Sequence, residues 1–200
     1  MNRKIFLAGV ALTPFLLQDL LKDKTAGQKR KRVLVGLGWS GQQLIKAFQE
    51  RGFTGEQKEL QVYQPPQVST GRFVSPFSKE EAKVSPSFIR ESIADANTEY
   101  IVVAGLGGSK STPLAMSFYK EALQLDRRFR MLLTHPFAFE GKRRSARAAA
   151  FAELAGADPR VQILRLEELI DVKKNHSLSA VFKQHIPHAL YKEFQKLINA

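Results

Sequence analysis

Two apolar runs in this chain each end in glycine and lead straight into a helical pattern, and that repeated unit restricts the fold more than any other feature. The first run, Arg32 to Val35, is followed by Gly36-Leu37-Gly38-Trp39-Ser40-Gly41 and a helix whose Leu44, Ile45 and Phe48 share one face. The second, Tyr100 to Ala104, is followed by Gly105-Leu106-Gly107-Gly108 and a helix carrying Leu114, Phe118, Ala122 and Leu123. Apolar strands that alternate with amphipathic helices pair in parallel and are covered on both faces. The remaining segments continue the alternation. Leu60 to Tyr63 reads as a strand stopped by Pro65-Pro66, and Gln67 to Val84 as a long loop. Ser85-Pro86 is a cap and first-turn pair for a helix with Phe88, Ile89 and Ile93, and Thr112-Pro113 repeats that signal. Arg130 to Thr134 and Val161 to Leu164 are further strands, flanking an alanine-rich helix that ends near Gly156. A terminal helical region holds Leu178, Val181, Phe182, Leu190, Phe194 and Leu197, with Pro187 expected to kink or divide it. The expectation is a three-layer α/β domain, with a mainly parallel sheet and helices on both faces.

The loops carry the chemistry. Gly36 to Gly41 satisfies the dinucleotide fingerprint, whose glycines allow a tight turn and let amides at a helix N-terminus face phosphate oxygens. The same glycines can serve helix-to-strand packing alone. A dinucleotide enzyme also needs an acidic side chain at the end of the second strand, and a strand ending at Tyr63-Gln64-Pro65 supplies none. Gly105 to Thr112 invites comparison with the Walker loop, yet Ser109 and Ala104 stand where that motif needs glycine. A glycine nest that binds anions through backbone amides, with Lys110 adding charge, remains open beside a plain glycine turn.

The third segment is Pro136-Phe137-Ala138-Phe139-Glu140-Gly141-Lys142-Arg143-Arg144. Together with Ala104 to Gly108 and with Gly38-Trp39-Ser40-Gly41-Gln42-Gln43, it resembles the nucleotide-binding domain of the FtsZ/tubulin family. The resemblance runs from about Arg32 to the C-terminus. It implies nucleotide contacts by Gly36, Gly38, Gly41 and Gln42 in the first loop. In the second loop it implies Gly105, Gly107, Gly108, Ser109, Lys110, Ser111 and Thr112, and in the third Pro136, Glu140 and Arg144. Glu140 and Arg144 match the family's ribose-contacting pair. The implied ligand is GTP or GDP, with Mg2+ only beside a triphosphate; no catalytic or metal-ligating residue is implied.

The chain also departs from the family pattern. Trp39 occupies a family glycine, and Ser109 to Thr112 is shorter than the Gly-Thr-Gly-Thr-Gly-like run. Arg165-Leu166-Glu167 stands where the family has an Asn, the expected Asp falls near Ile186, and Gln64 to Gln67 replaces a family loop. The family's second domain, which completes the GTPase site of a neighbouring subunit, has no counterpart before Ala200. These departures imply a protein that binds nucleotide weakly or not at all and does not hydrolyse it. It would be a regulatory component of a division or cytoskeletal system, with a polymerising FtsZ homologue or another acidic division protein as partner. Asp171 and Glu167 are available but unmarked as catalytic, and His135, His176, His185 and His188 form no metal pattern.

Composition narrows the alternatives. The chain of 200 residues suffices for one domain, and the absence of cysteine excludes disulfides and thiolate chemistry and fits a cytoplasmic setting. A net charge of +12 attracts anions of any kind. The basic clusters at 29–32, 142–147 and 173–174 lack the interleaved aromatics of a base-stacking platform, which argues against nucleic acid. Thirteen uncharged residues from Ile5 to Leu17 are too few for the roughly 20 of a membrane span. Residues 1–31 read instead as an apolar helix and basic linker, with residues 5–20 able to contact a membrane surface, ahead of a nucleotide domain at 32–200. A Rossmann-type NAD(P)-binding oxidoreductase and a basic nucleic-acid or membrane-surface binder are the other two readings.

Overall fold

The computed structural model describes residues 31–61, 83–170 and 177–199. The expected N-terminal helix and its membrane contact, Tyr63 and the Gln67 loop up to residue 82, Asp171 and His176 lie outside the described residues.

From Lys31 onward the order is β1 (Lys31–Leu37), α1 (Gly38–Gln49), β2 (Glu56–Leu60), α2 (Pro86–Ser92), β3 (Thr98–Gly105), α3 (Ser111–Gln124) and β4 (Arg128–His135). A 3-10 turn at Ala138–Glu140 follows, then α4 (Lys142–Ala155), β5 (Val161–Arg165), α5 (Leu166–Leu169), α6 (Leu178–Ala180) and α7 (Ile186–Asn199). The five strands are all parallel, in the order β2-β1-β3-β4-β5.

Period-two side-chain alternation divides each central strand between two cores. Val33, Val35, Tyr100, Val102, Met131 and Leu133 face a cluster built with Ile89 of α2, Leu114 and Phe118 of α3, and Phe151 of α4. Leu34, Ile101, Val103 and Leu132 face the other cluster, with Leu44, Ile45 and Phe48 of α1 and Ile186, Leu190 and Phe194 of α7. The result is three layers, helix over sheet over helix, as expected. Phe118, Phe151, Phe48 and Phe194 are fully buried, each stabilising by roughly 1.5–3 kcal/mol through burial.

Three local expectations are corrected. The second strand begins at Glu56, ahead of the expected start at Leu60, and ends at Leu60, residues 62 and 63 lying outside the described residues; among the described strands it pairs only with β1, and four of its five residues are exposed. An edge strand solvated in this way needs no apolar run, so its start carried no apolar signal. Thr112 is not a helix cap. α3 already starts at Ser111, and Thr112 is buried, its hydroxyl accepting from the Gly107 amide at 2.8 Å. Ser85 does occupy the cap position before Pro86, but its hydroxyl pairs with Ser87 at 2.7 Å rather than with the helix backbone. The terminal helical region is widened near Pro187 rather than divided. Val181–His185 is a π-type turn that runs without a break into α7 at Ile186; Pro187 has no N–H to give to the preceding turn, and the widened turn lies where that bond is missing.

The strand order places a switch point between β1 and β3. The chain leaves β1 toward one edge over one face and leaves β3 toward the other edge over the opposite face. In open parallel sheets this divergence opens a crevice beyond the carboxyl ends of the two strands. Both glycine loops lie there.

Candidate functional site

The first loop is a tight strand-to-helix junction. Leu37 ends β1 in extended conformation, and Gly38, at φ +67°, starts α1. Gly36 and Gly41 are used for packing: a Cβ on Gly41 would stand 2.6 Å from the Gly36 carbonyl carbon and 2.7 Å from the Val103 oxygen. Absence of side chains here lets α1 settle onto β1 and β3. A Cβ on Gly38 would stand 3.1 Å from the Ser111 Cβ, so the first and second loops touch.

Hydroxyls bind these loops together. Ser40 Oγ accepts from the Gly105 amide at 3.0 Å, and Ser111 Oγ donates to the Gly105 carbonyl at 2.6 Å. Thr112 holds the Gly107 amide as described above. The hydroxyls of Ser111 and Thr112 are thus engaged by their own loop.

The third segment closes the other side. The Leu106 amide donates to the Thr134 carbonyl at 2.9 Å, tying the end of β3 to β4. A Cβ on Gly107 would meet the Arg144 carbonyl oxygen at 2.9 Å and Pro136 Cγ at 3.1 Å. One oxygen of Glu140 accepts from the Phe137 amide at 2.9 Å, and the other pairs with Arg144 at 2.5 Å. The Ala138 amide is held by Glu167 at 2.6 Å. Two carboxylates therefore neutralise the free amides of this turn, and Glu167 has a structural use. The three loops converge on one end of the sheet.

Between them and the terminal helices lies a cavity of about 700 Å3. Its wall along α1 is a helical stripe of Trp39, Ser40, Gln43, Leu44, Lys46, Ala47 and Glu50. Gly105, Leu106, Thr134, Pro136, Glu140 and Arg144 form the strand-end wall, and Leu166, Phe182, Lys183, Ile186, Pro187 and Leu190 the wall opposite α1. Of the residues singled out from sequence, Gly105, Pro136, Glu140 and Arg144 line this cavity. Gly36, Gly38, Gly41, Gly107, Ser111 and Thr112 are buried and, like the partly exposed Gly108, Ser109 and Lys110, belong to the loops without lining it. Gln42 turns away and donates to Glu59.

Sequence reasoning missed Gln43, Lys46, Glu50, Lys183 and the apolar wall of the terminal helices. The α1 residues were accessible from Trp39 by counting three and four residues onward. A second correction concerns the acidic residue at the end of the second strand. With β2 at Glu56–Leu60, Glu59 pairs with Gly36 across the sheet and occupies that place.

The cavity wall carries Lys46, Lys183 and Arg144 against Glu50 and Glu140, and among the described residues Arg144 and Glu140 pair with each other. Trp39 is 74% exposed at the cavity. No cluster of three metal-binding side chains and no helix long and apolar enough to cross a membrane exists among the described residues.

No protein-family model and no curated protein matches the chain. Solved structures do. An empty FtsZ dimer from M. jannaschii matches at 18% identity and TM-score 0.59, over 94% of this chain and 59% of that one. The W319Y mutant of FtsZ from M. jannaschii matches at 18% identity and TM-score 0.60, over 91% and 60%. A GTPγS-bound protofilament of CetZ2 from Haloferax volcanii matches at 18% identity and TM-score 0.51, over 83% and 56%. The chain spans less than two thirds of the length of each. What these likenesses establish is the architecture: a parallel five-stranded α/β domain with the FtsZ/tubulin-like fold.

Proposed function

We propose that this protein is a divergent FtsZ-like nucleotide-binding domain that holds a guanine nucleotide in the switch-point cavity and acts by binding rather than by turnover. The observation that carries the proposal is the convergence of three loops on one cavity, with Gly105, Pro136, Glu140 and Arg144 in its wall. The fold likeness to FtsZ and CetZ supports the same reading, CetZ2 having been solved with GTPγS.

Binding rather than turnover is supported by the carboxylates. Of the two described carboxylates that line the cavity, Glu140 is committed to the Phe137 amide and Arg144. Glu50 lies at the far end of α1 from the glycine loops. Neither can position water at a phosphate held near Gly105. The weak affinity expected from Trp39 and from the committed loop hydroxyls belongs to the same proposal. On this reading Mg2+ enters only with a triphosphate, and the basic surface meets an acidic division component or a polymerising FtsZ homologue.

Isothermal titration of the protein with GTP, GDP and ATP tests this. Saturable binding of GDP and GTP without phosphate release is the expected result. No heat at millimolar nucleotide would leave the fold as a scaffold without a ligand.

The dinucleotide oxidoreductase reading has one observation in its favour, the position of Glu59 at the end of β2. That carboxylate is bonded to Gln42 and lies outside the cavity wall. Binding of NADH but not GDP would reinstate it.

A further inference from the structure

We infer that the rim of the cavity is a surface for single-stranded nucleic acid, on which Trp39, Phe139 and Phe182 stack bases while Lys46, Lys142, Arg143 and Lys183 meet phosphates. The inference goes beyond the nucleotide reading and does not need a nucleotide in the cavity.

Along the sequence the basic clusters contain no aromatic residue. The fold supplies rings from three separate places. Trp39 stands in the first turn of α1, Phe139 in the 3-10 turn ahead of α4, and Phe182 in the π-type turn ahead of α7. Fully buried Phe137 joins two of them: Phe139 stacks on it with centroids 4.9 Å apart and planes 13° apart, and Phe182 meets it edge-on at 5.8 Å. Phe182 in turn shares the cavity wall with Trp39.

The rings are open to solvent, Trp39 at 74%, Phe139 at 58% and Phe182 at 44%. Exposed apolar side chains scattered singly are ordinary, whereas a group of them marks a surface that another molecule covers. The other exposed large apolar side chains among the described residues, Leu123 and Leu154, are aliphatic and lie on α3 and α4.

Charge decides what covers the rings. Lys142 and Arg143 open α4 just after Phe139, Lys183 follows Phe182, and Lys46 lies on the cavity wall; all four are exposed. Of the carboxylates on this side, Glu140 is matched by Arg144 and Glu167 is held by the Ala138 amide, so that Glu50 offsets one cation of the four. Exposed rings beside an excess of cations suit a strand whose every unit carries a base to stack and a phosphate to neutralise. An anionic lipid surface calls for rings that stand outward into it, whereas Trp39 and Phe182 line a concavity.

The test is fluorescence anisotropy of a labelled oligothymidylate of about 15 nucleotides with the full chain, Trp39→Ala and Phe139→Ala, and of an abasic oligomer of equal length with the full chain. The abasic oligomer keeps the phosphates and removes the bases, so it probes stacking without altering the protein. Binding of the oligothymidylate should weaken about 50-fold from about 50 to about 200 mM salt, as four phosphate contacts require. Each variant, and the abasic oligomer, should bind roughly tenfold or more weakly, with the unfolding midpoint of both variants unchanged because both rings are exposed. Equal affinity for the abasic oligomer, or unchanged affinity in both variants, would overturn the stacking surface and leave charge alone. Failure of the oligothymidylate to bind at the lower salt would overturn it as well, and binding of phosphatidylserine vesicles in its place would give the rim to a lipid surface.

Discussion

Gly107 and Arg144 are packed so closely that a Cβ on the glycine would stand 2.9 Å from the arginine's carbonyl oxygen. This contact joins the second loop to the third, and Gly107 also has φ +88°, a backbone conformation that side chains resist. Gly107→Ala should therefore cost about 1–3 kcal/mol, read as a lowered urea midpoint with unchanged slope. Part of that cost arises from separating the loops, so nucleotide affinity should fall as well.

Thr112→Val separates a structural hydroxyl from a ligand-binding one. The substitution keeps the shape of the side chain and removes the acceptor of the buried Gly107 amide. It should destabilise the protein by about 1–3 kcal/mol, measured by thermal or urea unfolding, while nucleotide affinity changes less than about threefold. A large affinity loss without destabilisation would show that the hydroxyl belongs to the ligand.

The end of α7 is held by charge at the amino-terminal ends of the central strands, the end of the sheet opposite the cavity. Glu99 accepts from Arg32 and Arg130, and those arginines donate to the carbonyls of Ile198 and Leu197 at the last turn of α7. Those carbonyls lack helical partners. Arg130→Met should lower stability by about 1–2 kcal/mol and raise amide exchange in the last turn of α7, without disturbing the distant cavity.

Stability should fall in acid through Asp158. The Arg160 guanidinium holds this carboxyl far below the usual carboxylate range, against the opposing effect of burial, and Tyr119 donates to it at 3.0 Å. A folded-state value below the unfolded one means that the contribution is present above about pH 4 and is lost as pH falls through and below that range. Unfolding curves from pH 6 to pH 2 should show the wild type losing its advantage over Asp158→Asn toward the acid end.

The central strands were legible because each is buried on both faces: Val33 to Val35 and Tyr100 to Ala104 leave few assignments other than parallel strands. β2 was not, since its Glu56-Gln57-Lys58-Glu59 stretch faces water and carries no apolar signal. The loops were recognised by glycine, but the sequence does not distinguish a glycine that faces a ligand from one, like Gly41, that faces Val103 and Gly36. Glu140 was found as a site residue, whereas its bond to the Phe137 amide depends on the turn it caps. The opposite cavity wall, from Phe182 to Leu190, comes from helices far along the chain and is set by long-range packing on Phe48 and Phe137. No local pattern encodes that.

Trp39 is the chain's single tryptophan and lines the cavity, so its emission reports directly on whether a nucleotide enters. Titration of the protein with GDP, with NADH as the comparison ligand, should give a saturable change in Trp39 fluorescence for GDP. A response to NADH alone, or none to millimolar GDP, would contradict the account.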